Sequence, residues 1–212
     1  MNHLKTIFLI LTFTIILSCS KNQTTKTVGI IIINDFETAN LNYIIDNIES
    51  IYKCKCVLLK NIYLPENCIT TIKTKRYRAD SIIQYLRRIK PDSVNYILGL
   101  TNENISNTKF DRTGKIKIPE SYFIDISIFG LGFCPGKSCV VSSYCFKNAC
   151  DDLVKSRLKK ITIHELGHNF GLPHCVYNDC VMQDAGETVK ILDESDTKLC
   201  QHCRKKISNI VH

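Results

Sequence analysis

His164-Glu165-Leu166-Gly167-His168-Asn169-Phe170-Gly171-Leu172-Pro173-His174-Cys175 is the stretch on which the reading of this 212-residue chain turns. The run continues through Cys180 and Met182 to Cys200-Gln201-His202-Cys203. Two sets of metal-ligating residue types lie end to end here and meet at His174-Cys175.

His164 and His168 are one helical turn apart, so their imidazoles leave one face of a helix together. Two ring nitrogens can then approach one zinc ion at about 2.0–2.1 Å each. Glu165 follows the first histidine, which places its carboxylate beside the ion without binding it, positioned to take a proton from water. On an unbroken helix His174 would lie about 15 Å from His164. It reaches the same ion only if the helix ends and the chain turns back. Gly171 stands where that break is needed, because glycine adopts the left-handed conformation that closes helices. Pro173 prevents the helix from resuming. Three histidines leave a fourth position for water, the donor set of a catalytic zinc.

Cys175, Cys180, Cys200 and Cys203 read C-x4-C, then C-x-x-C. Four thiolates close a tetrahedral shell, the donor set of a structural zinc. Because Cys175 adjoins His174, the second ion would fix the third ligand of the first. Separately, an H-E-x-x-H arises by chance on many helices, and the cysteine pairs could be disulfides in an exported chain. In this order and spacing the metal reading is much the stronger.

The combined pattern resembles the metzincins, H-E-x-x-H-x-x-G-x-x-H with a Met-turn, and within them the archaemetzincin family. The spacing from His164 to Cys175, from Cys180 to Met182, and from Met182 to Cys200 carries that resemblance. It implies a zinc metallopeptidase with Glu165 as general base and two zinc ions. Met182 would be the methionine packed beneath the catalytic ion. The implied fold is α/β: a twisted mixed five-stranded sheet, two backing helices, an active-site helix and a small zinc-knot C-terminal part at about 172–212. The implied partner is a peptide or protein substrate lying along an edge strand at 122–133. The alternative is a catalytically inactive, zinc-stabilised surface binding module.

Upstream, 28–33 (VGIIII) is a continuous β-branched run and predicts a doubly covered strand. Apolar positions at helical spacing predict a helix over 37–52. Further strands are expected at 56–59, 96–100, 122–129 and 138–144, and a second helix from Ala79 or Asp80 to the residues before Pro91. Residues 60–79 and 101–120 read as irregular. Asp151 or Asp152 starts the ligand-bearing helix, with Leu153, Val154, Leu158, Ile161 and Leu166 as its buried stripe. Lys155, Arg157, Lys159 and Lys160 read as its solvated face. Cys200 opens a short last helix, and His202 is expected to be exposed.

The first 18 residues read as a leader: Lys5, then an apolar run ending Ile16-Leu17-Ser18-Cys19, which resembles a bacterial lipobox. Cys19 would carry the lipid, 19–27 would be a polar tether, and 28–212 the enzyme domain. This predicts an exported, monomeric, membrane-anchored bacterial lipoprotein facing the periplasm or exterior. Ser20 in place of an aspartate favours the outer membrane. The formal net charge is +8, which attracts acidic partners. No aromatic-plus-basic motif accompanies it, so nucleic acid is excluded as a partner. Twelve cysteines leave Cys54, Cys56, Cys68, Cys134, Cys139, Cys145 and Cys150 outside these roles. Candidate disulfides are Cys134 with Cys139 and Cys145 with Cys150.

Overall fold

The computed structural model describes residues 25–184 and 188–211. The leader and Cys19 lie outside them. Along the chain come β1 (Thr27–Ile32), α1 (Leu41–Tyr52), β2 (Lys55–Leu58), β3 (Ile69–Thr70), β4 (Arg76–Arg78), α2 (Ala79–Ile89), β5 (Tyr96–Thr101) and β6 (Ile105–Asn107). Then follow α3 (Glu120–Phe123), β7 (Ile126–Ser127), β8 (Gly130–Gly132), β9 (Ser138–Ser142), α4 (Asp151–Asn169), α5 (Val189–Glu194) and α6 (Gln201–Val211).

The main sheet has five strands in the order β2-β1-β5-β9-β8. The first four are parallel and β8 closes the edge antiparallel. Both faces are covered, so side chains alternate between two cores. Val28, Ile30, Ile32, Leu98, Leu100, Cys139 and Val141 join Ile44, Ile48 and Tyr52 of α1 and Leu158, Ile161 and Leu166 of α4. Ile31, Ile97 and Val140 face the other way, onto Ile82, Ile83 and Leu86 of α2. The expected α/β class, the five-stranded mixed sheet and the two backing helices therefore stand.

Several local expectations do not. The strand expected over 122–129 is broken into α3 and β7, with β8 following. Pro119 at the cap and Glu120 in the first turn favour a helical turn there. Residues 60–79 and 101–120 contain β3, β4 and β6, which join β7 in a second sheet ordered β3-β4-β6-β7. Strands of two or three residues are too short to display alternation in sequence. Both candidate disulfides are absent, since all four cysteines are free. Cys139 points from β9 into the core while Cys134 lies at the surface.

On α4, Leu153 is exposed, whereas Arg157 and Lys160 are buried. Arg157 donates to both carboxylate oxygens of Asp193, at 2.8 and 2.7 Å. Lys160 Nζ donates to the carbonyls of Leu192 and Asp193, each at 2.8 Å. These two cations are therefore not a solvated face. They fasten α5 across the active-site helix, burying their stems while their charged heads are satisfied.

Candidate metal centres and active site

The end of α4 presents the first two histidines. Its C-terminus is a Schellman motif: Gly171 N–H donates to the His168 carbonyl (2.8 Å) and Leu172 N–H to that of Gly167 (2.9 Å). Gly171 takes φ 90°, the left-handed conformation expected of it. The chain then doubles back and brings the His174 ring to 5.2 Å from that of His164 and 4.8 Å from that of His168, centroid to centroid. One donor nitrogen from each of the three lies within 4.8 Å of the others.

The hydrogen bonds fix which nitrogens point inward. His164 Nδ1 lies 2.8 Å from the Val181 carbonyl oxygen, and His168 Nδ1 lies 2.8 Å from that of Leu172. A carbonyl only accepts, so each Nδ1 carries its ring's proton. Each Nε2 is then left as a lone pair, and the two are 3.0 Å apart. Two lone pairs facing at that distance repel unless a cation lies between them. Nitrogens about 2.1 Å from one zinc ion would be about 3.0–3.4 Å apart. Burial, reinforced by the neighbouring His168, lowers the His164 pKa to about 3, and burial also lowers that of His168. Both rings are therefore neutral, as ligands must be. His174 Nδ1 lies 3.7 Å from Asp184 Oδ2.

Met182 is fully buried, and a Cβ placed on Gly167 would lie 2.4 Å from its sulfur. Any side chain at 167, between His164 and His168 on α4, would press on the methionine there. From the other side the Tyr52 hydroxyl donates to the Ile163 carbonyl at 2.5 Å, and its ring stacks on Phe170 at 4.7 Å. Helix α1 is thereby tied to the ligand-bearing turn.

Glu165 lies against β8. Burial raises its carboxyl pKa to about 8, opposed by a backbone hydrogen bond from Gly132. It lines a cleft of about 270 Å³ together with the three histidines, Gly130, Leu131, Lys109 and Asp184.

Cys175, Cys180, Cys200 and Cys203 converge a few residues away, one sulfur each, within 4.8 Å. All four are free thiols. The Cys175 and Cys200 sulfurs are 3.8 Å apart, and sulfurs each about 2.3 Å from one ion at tetrahedral angles are about 3.8 Å apart. Cys200 N–H donates to the Cys180 sulfur at 3.4 Å. Burial raises the thiol pKa values of Cys180 and Cys203. His202 is exposed beside this cluster, as expected.

Among the described residues the structure brings His164, His168 and His174 together, and likewise Cys175, Cys180, Cys200 and Cys203, with Glu165 beside the histidines and Met182 beneath them; Cys19 lies outside the described residues. The structure adds Val181, Asp184, Tyr52, Arg157, Lys160 and Asp193. Lys160 had a signal: Arg157, Lys160, His164 and His168 follow one another at helical spacing and share a face of α4.

The five-stranded sheet, parallel but for its edge strand, thus packs on a helix that bears two of the histidines and a buried glutamate. The model of peptidase family M54 matches residues 25–209. The archaemetzincin of Methanopyrus kandleri is 30% identical over 144 residues, 68% of this chain and 72% of that one. An archaemetzincin of Halobacterium salinarum is 35% identical over 89 residues, 38% of this chain and 51% of the relative, so that match spans about half the relative's length. The crystal structure of the M. kandleri archaemetzincin has a TM-score of 0.70 at 22% identity, covering 87% of this chain and 94% of that chain. The chain belongs to peptidase family M54, and with it to the zinc metallopeptidases.

Membership favours the peptidase over the alternative of an inactive binding module. The comparisons also correct the expected location. These relatives are archaeal archaemetzincins and give no support to a bacterial outer-membrane lipoprotein; the lipobox reading of Cys19 falls outside the described residues. Among the described residues no helix is long and apolar enough to cross a membrane.

Proposed function

We propose that the protein hydrolyses peptide bonds with Glu165 as general base, and that it holds two zinc ions. His164, His168 and His174 hold the catalytic ion; Cys175, Cys180, Cys200 and Cys203 hold the structural one. The observation that carries this reading is the facing pair of Nε2 lone pairs, 3.0 Å apart, in one cleft with the buried carboxyl of Glu165. When bound, the catalytic ion lowers the pKa of a water toward about 7 and polarises the scissile carbonyl.

The chain's own residues do the rest. Glu165 accepts a proton from the attacking water and returns it to the leaving amine. Among the described residues strand β8 pairs only with β9, so the backbone groups of its other edge that are not bonded to Glu165, as Gly132 is, can meet an extended substrate. In this reading the substrate-binding edge is Gly130–Gly132, inside the 122–133 expected from the sequence. Leu131, Ile161, Val181 and Leu192 give the cleft an apolar lining beside the histidines. The enzyme acts as a monomer on a peptide or protein substrate.

The test is digestion of a peptide library by the zinc-loaded protein, with a chelator-treated control. Cleavage that chelation abolishes and added zinc restores is the expected result. Cleavage indifferent to chelation would sink the assignment.

A further inference from the structure

Residues 108–118 leave β6 as a hairpin. Lys117 N–H donates to the Lys109 carbonyl (2.9 Å), Asp111 N–H donates to that of Lys115 (2.7 Å), and Phe110 is bridged to Ile116. Opposed residues in such a ladder share a face, and successive residues alternate. One face thus carries Lys109, Lys115 and Lys117, and the other Phe110, Ile116 and Ile118. Asp111 also falls on the lysine face, but its Oδ1 accepts from Thr113 N–H, the Thr113 hydroxyl and Lys115 N–H, so it is turned into the loop. Lys115 and Lys117 are exposed.

The lysine face continues the wall of the cleft, because Asn107 and Lys109, on the same side of this strand, line it with His164 and Glu165. The exposed pair on this face, Lys115 and Lys117, stand about 7 Å apart along the strand. Side chains i and i+2 of an extended peptide project the same way at that same interval.

Resting on the peptidase reading, we propose that this face docks acidic side chains of the substrate at alternate positions outside the residues flanking the scissile bond. The protein is then selective for acidic, extended segments. The charge complementarity agrees with the net charge of +8. Contacts of this kind act chiefly by steering and positioning, and salt screens them.

The experiment uses three peptide libraries with a common randomised centre and flanks of Glu-x-Glu, Gln-x-Gln or Lys-x-Lys. They are cut by the zinc-loaded wild type and by a Lys115→Gln/Lys117→Gln variant. The wild type should cut the Glu-flanked library with kcat/KM about three- to tenfold above the Gln-flanked one. Most of that advantage should vanish at about 0.5 M salt. The variant should cut Glu- and Gln-flanked libraries alike, with the Gln-flanked rate unchanged. Equal rates on the two libraries in the wild type, or a preference that survives in the variant, overturns the proposal alone. No cleavage of any library overturns the peptidase reading and this proposal with it.

Discussion

His164 Nδ1 lies 2.8 Å from the carbonyl oxygen of Val181, a residue between a cage cysteine and the buried methionine. Val181 N–H in turn donates to the Lys198 carbonyl at 2.8 Å, and Cys175 N–H to that of Met182 at 2.8 Å. The first histidine is therefore oriented by the backbone that the four cysteines gather. A cage variant, Cys200→Ser, should lose the structural ion and also lower kcat/KM about 10–100-fold, the usual cost of disturbing the partner of a ligating imidazole. Zinc content and kinetics measured on the same preparation check this. Full activity with one zinc per chain would show the two centres to be independent.

Glu165→Gln keeps the shape of the side chain and removes the base. Zinc content should be unchanged and turnover should fall by about 10²–10⁴. The pH profile carries a second expectation. A base must be ionised, so kcat/KM rises with pH as Glu165 loses its proton. Burial holds that carboxyl up to about 8, and a cation nearby draws it down. The acid limb should accordingly fall above the ordinary glutamate value of about 4.3 and below the buried value. A profile flat down to pH 4 would remove Glu165 from the base role.

Gly167→Ala tests the packing beneath the ligands. The added methyl would sit 2.4 Å from the Met182 sulfur and 2.9 Å from the Tyr52 hydroxyl, so stability should fall by about 1–3 kcal/mol. Combining it with Met182→Ala should recover part of the loss, a coupling that a double-mutant cycle reads directly. Additive losses would mean that the two residues do not meet.

The Arg157–Asp193 pair gives a stability prediction with a sign. The Arg157 hydrogen bonds hold the Asp193 carboxyl below its ordinary value. The stabilisation is therefore present above the unfolded aspartate pKa of about 3.9 and is lost as pH falls through the lower, folded value. Asp193→Asn should cost on the order of 1 kcal/mol at neutral pH, the partial exposure of the carboxylate limiting it. It should also flatten the acid limb of stability against pH. Chemical denaturation at pH 7 and pH 3 separates the outcomes, and an equal loss at both would dismiss the ion pair as the cause.

The convergence of the site's side chains was legible because a coordination set demands particular residue types at particular intervals. His164, His168 and His174 converge beside Glu165, the four cysteines converge separately, and Gly171 makes the turn between His168 and His174. The long parallel strands and their backing helices were legible too, since β-branched runs and helical spacing persist over enough residues to register. The second sheet was not, being built from strands of two or three residues whose pairing is decided by tertiary contact. Arg157 and Lys160 were misread because charge suggested solvent. Their partners, Asp193 and two backbone carbonyls, lie more than thirty residues away, and a carbonyl leaves no trace in sequence. The Val181 carbonyl was invisible for the same reason.

Anomalous diffraction at the zinc absorption edge, on crystals of the protein purified without chelator, tests the central claim most directly. The account predicts two peaks per chain. One should lie about 2.0–2.1 Å from a nitrogen of each of His164, His168 and His174, and the other about 2.3 Å from the four sulfurs of Cys175, Cys180, Cys200 and Cys203. No peak among the three imidazoles, or cage sulfurs joined to one another in disulfides, would contradict it.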